Sequence, residues 1–185
     1  MFVPNKFLIE PKDNKQYNNT KKTEDGELII STSIEEACDV NRIAKVIAVP
    51  KLHKTNVRIG DEVVVWHNIF RIVYDNNGVP VNSSYYIKDN LYFADIELVY
   101  MIIRNGQKIA INENCFVEPI TDVVNEITNE EQKHVGILKY PSENLINQGY
   151  KQGDKVAFRK NCEYKFKIDD ELLYMMNENR ILAKL

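Results

Sequence analysis

Two glycine-aspartate turns in matching settings constrain this chain more than any other feature. The first is Val57-Arg58-Ile59-Gly60-Asp61-Glu62-Val63-Val64-Val65, and the second is Tyr150-Lys151-Gln152-Gly153-Asp154-Lys155-Val156-Ala157-Phe158. Glycine supplies a turn geometry that a side chain resists, and aspartate bonds to nearby backbone, so each site predicts a reversal into a strand. Each turn follows a β-rich run ending in proline, Val46-Ile47-Ala48-Val49-Pro50 and Val135-Gly136-Ile137-Leu138-Lys139-Tyr140-Pro141. Each is followed at a distance by an Asn-Glu-Asn turn, at Asn112-Glu113-Asn114 and Asn177-Glu178-Asn179. Three ordered matches predict one small β-fold carried twice.

The rest of the chain reads almost entirely as short strands with turn signals, the pattern of small β-barrels. Residues 69–81 predict a hairpin around Asn76-Asn77-Gly78, and 98–103 with 107–111 predict another over Arg104-Asn105-Gly106. Residues 121–133 are acidic and polar and read as a short helix or a second loop. Leu172 to Met176 and Ile181-Leu182 form an expected final pair of strands after a turn at Asp169-Asp170. These signals give an all-β first domain over 1–120 and a second, shorter copy over 121–185. The first copy has a longer stretch between its glycine turn and its Asn-Glu-Asn, which places an insert at 69–100.

Apolar residues at 44%, charged residues at 28% and a net charge of -3 are ordinary for a globular domain and show no basic stripe for nucleic acid. Three widely spaced cysteines, Cys38, Cys115 and Cys162, argue against a disulfide framework and for a reducing cytoplasm. There is no signal-peptide pattern at the N-terminus and no apolar run of membrane-spanning length, so no membrane partner is expected. The three histidines lie apart from the cysteines, and no zinc spacing, nucleophile elbow or phosphate loop occurs. The sequence therefore predicts no enzyme, no metal and no cofactor.

One anomaly remains. Residues 12–41 are polar and aperiodic, a composition that buries too little to offset the entropy of ordering. Inside them sits the cluster Leu28-Ile29-Ile30. It is either a short edge strand folded back on a barrel or a recognition segment on a tether, since exposed apolar clusters mark interaction sites.

In their order, these segments resemble the GroES co-chaperonin family. Asn5 to Pro11 is similar to the family's first strand, 12–41 to its mobile loop, and Gly26-Glu27-Leu28-Ile29-Ile30 to the loop's binding segment. Ala44 to Val49 resembles the return strand, Val57 to Asp61 the turn, and Lys108 to Val117 the closing hairpin. The second copy resembles it again from Val135 to Leu185. The pattern of two copies with an insert is closest to divergent or phage-encoded members. The segment between Pro50 and Gly60 is short where the family often builds a roof hairpin. The second copy has only Val123-Val124 and Ile127 in place of the aliphatic triplet.

The resemblance implies GroES-like barrels and a homo-oligomeric ring, expected to be a heptamer, in the cytoplasm (the host's, if phage-encoded). Such a ring would cap a chaperonin and assist ATP-dependent folding. Gly26, Leu28, Ile29 and Ile30 would contact the chaperonin's apical domains, and Gly60, Asp61, Gly153 and Asp154 would be structural turns. The competing expectation is a virion or scaffold component using tandem barrels only as bricks.

Overall fold

The computed structural model describes residues 3–18, 20–23, 26–29, 39–123, 129–168 and 171–185. They form an all-β chain with one short helix, α1 (Glu143–Asn147). Two compact units divide at Gln107 and Lys108, earlier than the expected boundary after residue 120. The reason is that the strand Asn114–Val123 pairs with strands near the end of the chain.

The first unit contributes β1 (Phe7–Pro11), β2 (Thr20–Thr23), β3 (Gly26–Ile29), β4 (Ile43–Ala48), β5 (Glu62–Val65), β6 (Ile72–Tyr74), β7 (Pro80–Asn82), β8 (Tyr86–Lys88), β9 (Leu91–Ala94) and β10 (Val99–Arg104). The strand β11 (Gln107–Ala110) follows over the Asn105-Gly106 turn. The main sheet has the order β11-β10-β5-β4-β1-β9-β8, with β2-β3 and β6-β7 as separate two-stranded ribbons. The second unit contributes β12 (Asn114–Val123), β13 (Asn129–Tyr140), β14 (Lys155–Phe158), β15 (Tyr164–Ile168), β16 (Glu171–Asn177) and β17 (Ile181–Lys184), ordered β15-β16-β12-β13-β14-β17.

The two orders are the same permutation. β10-β5-β4-β1-β9-β8 in the first unit corresponds, strand for strand, to β17-β14-β13-β12-β16-β15 in the second. The register agrees as well: Pro11 faces Ala44 where Pro119 faces Gly136, and Ile9 faces Val46 where Val117 faces Leu138. Phe7, Leu8 and Ile9 pair with Ala94, Phe93 and Tyr92, as Cys115, Phe116 and Val117 pair with Met176, Met175 and Tyr174. The duplication is thus present in topology.

Four sequence expectations change. The Asn-Glu-Asn turns are not equivalent to each other: Asn114 faces Asn177, and the Glu178 N–H donates to the Glu113 carbonyl (2.8 Å), so both belong to the second unit. The counterpart of the 3-10 turn Glu178–Arg180 before β17 is instead Ile96–Leu98 before β10. The insert consequently shrinks, because β9 and β10 have partners in the repeat. The extra chain is residues 66–85, against 159–163 in the second unit. Finally, 121–123 and 129–133 are neither helix nor loop but extensions of β12 and β13, paired from Thr121–Glu131 to Val123–Asn129. The strands β16 and β17 also do not pair with each other as expected; β17 adds to β14. The Asp169-Asp170 turn, Val124 and Ile127 lie outside the described residues.

Neither main sheet closes on itself among the described residues. β11 and β8 end one and β15 and β17 the other, so no closed barrel is formed by these strands. Apolar side chains nevertheless bury both faces at the middle of each sheet. Val63, Val64 and Val65 are all fully buried, the pattern of a central strand covered on both sides. In the first unit Phe70 meets Tyr92 edge-on at 4.9 Å. In the second, Cys115, Val117, Leu138, Leu145, Val156, Phe158, Tyr174 and Met176 form one cluster, and Phe116 and Phe166 lie 5.9 Å apart. Helix α1 contributes Leu145 to that cluster; the Ser142 hydroxyl caps it by accepting the Leu145 N–H (3.2 Å) and donates to Glu178.

Candidate functional site

After β1 the chain makes a 3-10 turn at Lys12–Asn14, where Asp13 and Asn14 take the left-handed conformation (φ 56° and 57°) that short polar side chains tolerate. The two limbs of the excursion between β1 and β4 then meet. Tyr17 bridges to Val40, the Asn18 N–H donates to the Asp39 carbonyl (2.7 Å), and the Asn41 N–H donates to the Gln16 carbonyl (2.8 Å). Val40 is buried, and so is Asn41, whose amide nitrogen donates to the carbonyls of Lys12 (3.1 Å) and Lys15 (2.8 Å) while its oxygen accepts the Ile43 N–H. A buried amide with all these bonds made is a structural pin, because leaving it unpaired would be costly. The result is a hydrogen-bonded collar.

Beyond the collar, β2 and β3 form a ribbon in which Thr20 faces Ile29, Lys21 faces Leu28, Lys22 faces Glu27 and Thr23 faces Gly26. Three of the four residues expected to recognise a chaperonin, Gly26, Leu28 and Ile29, therefore lie together on one strand of a hairpin; Ile30 lies outside the described residues. A two-stranded ribbon of four residues a side is marginal in water by itself.

The two glycine-aspartate turns are alike to within a few tenths of an ångström. Gly60 and Gly153 have φ of 90° and 92°, the left-handed region where glycine alone is unstrained. Their N–H groups donate to the carbonyls of Val46 and Leu138, each at 2.8 Å. The Asp61 carboxylate accepts the Arg58 N–H (2.7 Å), as that of Asp154 accepts the Lys151 N–H (2.8 Å). Arg104 adds a two-pronged contact to Asp61, Nε at 2.8 Å and Nη2 at 2.6 Å, and holds its carboxyl below the usual range. Lys184 lies 2.7 Å from Asp154 and lowers it in the same sense. A cleft of about 560 Å3 opens beside the first turn, lined by Arg58, Ile59, Gly60, Asp61 and Arg104 among others. All four turn residues thus serve as fold locks.

Other titratable groups are tuned by burial. His67, beside Trp66, is lowered to about 4 by desolvation and by Arg42 and Arg71, and is neutral at pH 7. Burial pushes the Cys115 thiol up to about 12 and raises that of Cys162, so neither is a ready thiolate. Among the described residues no three His, Cys, Asp and Glu side chains gather as metal ligands would, and no helix is long and apolar enough to cross a membrane.

Sequence reasoning missed the collar and what holds it. The Tyr17 hydroxyl accepts the Ile72 N–H (2.9 Å), and Gln16 Nε2 donates to the Phe70 carbonyl (3.1 Å) and to Asn82 Oδ1 (2.9 Å). The one available signal was Tyr17, the lone aromatic in a polar stretch; desolvation raises its phenol. The β6–β7 ribbon also escaped notice as a surface: Val73, Tyr74, Val79 and Val81 are 38–52% exposed, so they do not join the core.

No protein-family model matches this sequence, and no curated protein matches it.

Proposed function

We propose that the chain is a co-chaperonin of GroES-like type, whose β2–β3 hairpin docks on the apical domains of a chaperonin ring and assists ATP-dependent folding. The observation that carries the reading is the long excursion between the first two paired strands of one unit, which bears Gly26, Leu28 and Ile29 on a hairpin above a pinned base. Repetition of the same six-strand order in the second unit supports it, since tandem GroES-like folds would repeat in this way. In this reading the copies assemble as a ring, expected to be a heptamer, in the cytoplasm, and no cofactor takes part.

Energetics fit a cap that must also release. Burying three aliphatic side chains gives on the order of 5–9 kcal/mol before costs. Ordering even four backbone residues takes back about 4–8 kcal/mol. A single hairpin is then a weak ligand, and several on one ring gain affinity because later dockings are intramolecular. Replacing Leu28 and Ile29 with Asp should abolish capture by a nucleotide-loaded chaperonin while circular dichroism stays unchanged. Undiminished capture by that variant overturns the reading.

A second reading, tandem β-units as shell or scaffold bricks, draws on the unclosed ends of both sheets. It predicts association with other shell proteins and indifference to chaperonin plus ATP. Native mass separates the two, a seven-fold ring favouring the cap and a monomer or trimer the brick.

A further inference from the structure

Residues 66–85 do more than lengthen the first unit. Their polar groups reach back to the base of the hairpin across more than fifty positions of sequence. Gln16 spends both amide hydrogens on the two ends of this segment, Phe70 ahead of β6 and Asn82 in β7. Tyr17 takes the Ile72 N–H between them, and the Ser83 hydroxyl donates to the Ile69 carbonyl (2.6 Å), closing the segment on itself. Asn41 pins the other limb from the β1 side. The second unit differs at both places among the described residues. The link corresponding to the insert is only 159–163, and past an irregularity between Pro119 and Thr121 the β12–β13 pairing resumes directly at Thr121–Glu131.

We propose that the 66–85 insert is a clamp on the hairpin's base. Gln16 and Tyr17 are its positioning residues, and the direction in which β2 and β3 leave the unit is set by the clamp instead of by a free tether. The consequence for docking rests on the co-chaperonin reading; the clamp itself does not. A ligand whose base is already oriented loses less freedom on binding, so cutting the clamp should weaken docking.

Hydrogen exchange on the full chain tests the clamp with no partner present. The double variant Gln16→Ala/Tyr17→Phe should exchange at the collar amides of Asn18 and Asn41 about tenfold faster, with Val46 and Gly60 of the same unit unchanged. Equal rates at Asn18 and Asn41 in variant and parent overturn the clamp. Asn82→Ala deletes one of the two bonds that Gln16→Ala deletes, so adding it to Gln16→Ala should change little further; full additivity also counts against the clamp. Toward a nucleotide-loaded chaperonin the double variant should bind roughly tenfold more weakly than the parent. Unchanged affinity despite faster collar exchange overturns the positioning role. If exchange responds as expected and even the parent fails to bind, the clamp stands and the docking reading falls.

Discussion

The two units share a strand order and a turn but lock that turn with different cations. In the first, a planar guanidinium grips the carboxylate of Asp61 through two nitrogens, and Asp61 is almost wholly buried. In the second, an ammonium meets the more exposed Asp154 as a point charge. The backbone geometry is the same in both. The glycine and the aspartate's bond to the third residue before it therefore build the turn, and the cation only tightens it. Arginine suits the buried case because its fork fixes direction as well as charge.

The largest expected break in the symmetry lies one strand away. Ala44 and Gly136 occupy equivalent positions opposite proline, yet a Cβ on Gly136 would come within 2.4 Å of Val117 Cγ1 and 2.7 Å of the Glu118 carbonyl. Gly136→Ala, which installs the first unit's own residue, should cost the second unit about 3 kcal/mol by denaturant unfolding, since a packed interior yields little. Stability within 0.5 kcal/mol of the parent, or about that, would show that the two sheets are more alike than their packing indicates.

Next comes Asp61→Ala, expected to cost the first unit about 2–3 kcal/mol through the loss of charge-assisted bonds. Asp154→Ala should have a smaller effect, because water already screens that pair. The carboxyl of Asp61 titrates below its ordinary 3.8, so its contribution is complete above that pH and is lost as pH falls through the lowered value. Acid unfolding followed by unit-resolved hydrogen exchange should show this step in the parent and not in Asp61→Asn.

His67 gives an effect of opposite origin in a milder range. Its folded value of about 4 lies below the ordinary 6.5, so protons bind the unfolded chain first and stability declines from about pH 6.5 to 4. After allowance for partial exposure the change should be about 1–2 kcal/mol. His67→Gln should flatten that slope in a melting series across pH. The smallest effect expected is from Arg104→Lys, which makes the first lock resemble the second. Melting should move by no more than a few degrees, with exchange at the Arg58 amide left slow.

Much of this architecture is legible in the sequence, and the pattern of success has a physical cause. The turns at Gly60, Gly153, Gly78 and Gly106 were identifiable because positive φ (75–92°) restricts residue type at one position. The valine-rich β5 was identifiable because burial on both faces demands an unbroken apolar run. The collar was not, since Gln16, Asn18, Asp39 and Asn41 are joined largely through backbone groups that every residue possesses. The paired Asn-Glu-Asn motifs misled for a related reason. They look like repeats, but their likeness reflects two turns lying side by side, Asn114 opposite Asn177. On the hairpin, the sequence singled out Leu28 and Ile29, whereas the groups that aim it lie some fifty residues further on.

All four strands that end the main sheets carry lysine: Lys88 on β8, Lys108 on β11, Lys165 and Lys167 on β15, and Lys184 on β17. In β15 the two lysines are exposed and alternate with the buried Phe166 and Ile168. An unpaired strand edge is a template for runaway polymerisation, and lysine there is a defence, because a second strand could add only by stranding a charge. In sheets left unclosed among the described residues, these lysines place a charge at every rim. Exchanging Lys165 and Lys167 for valine would be expected to promote edge-to-edge association, read by light scattering.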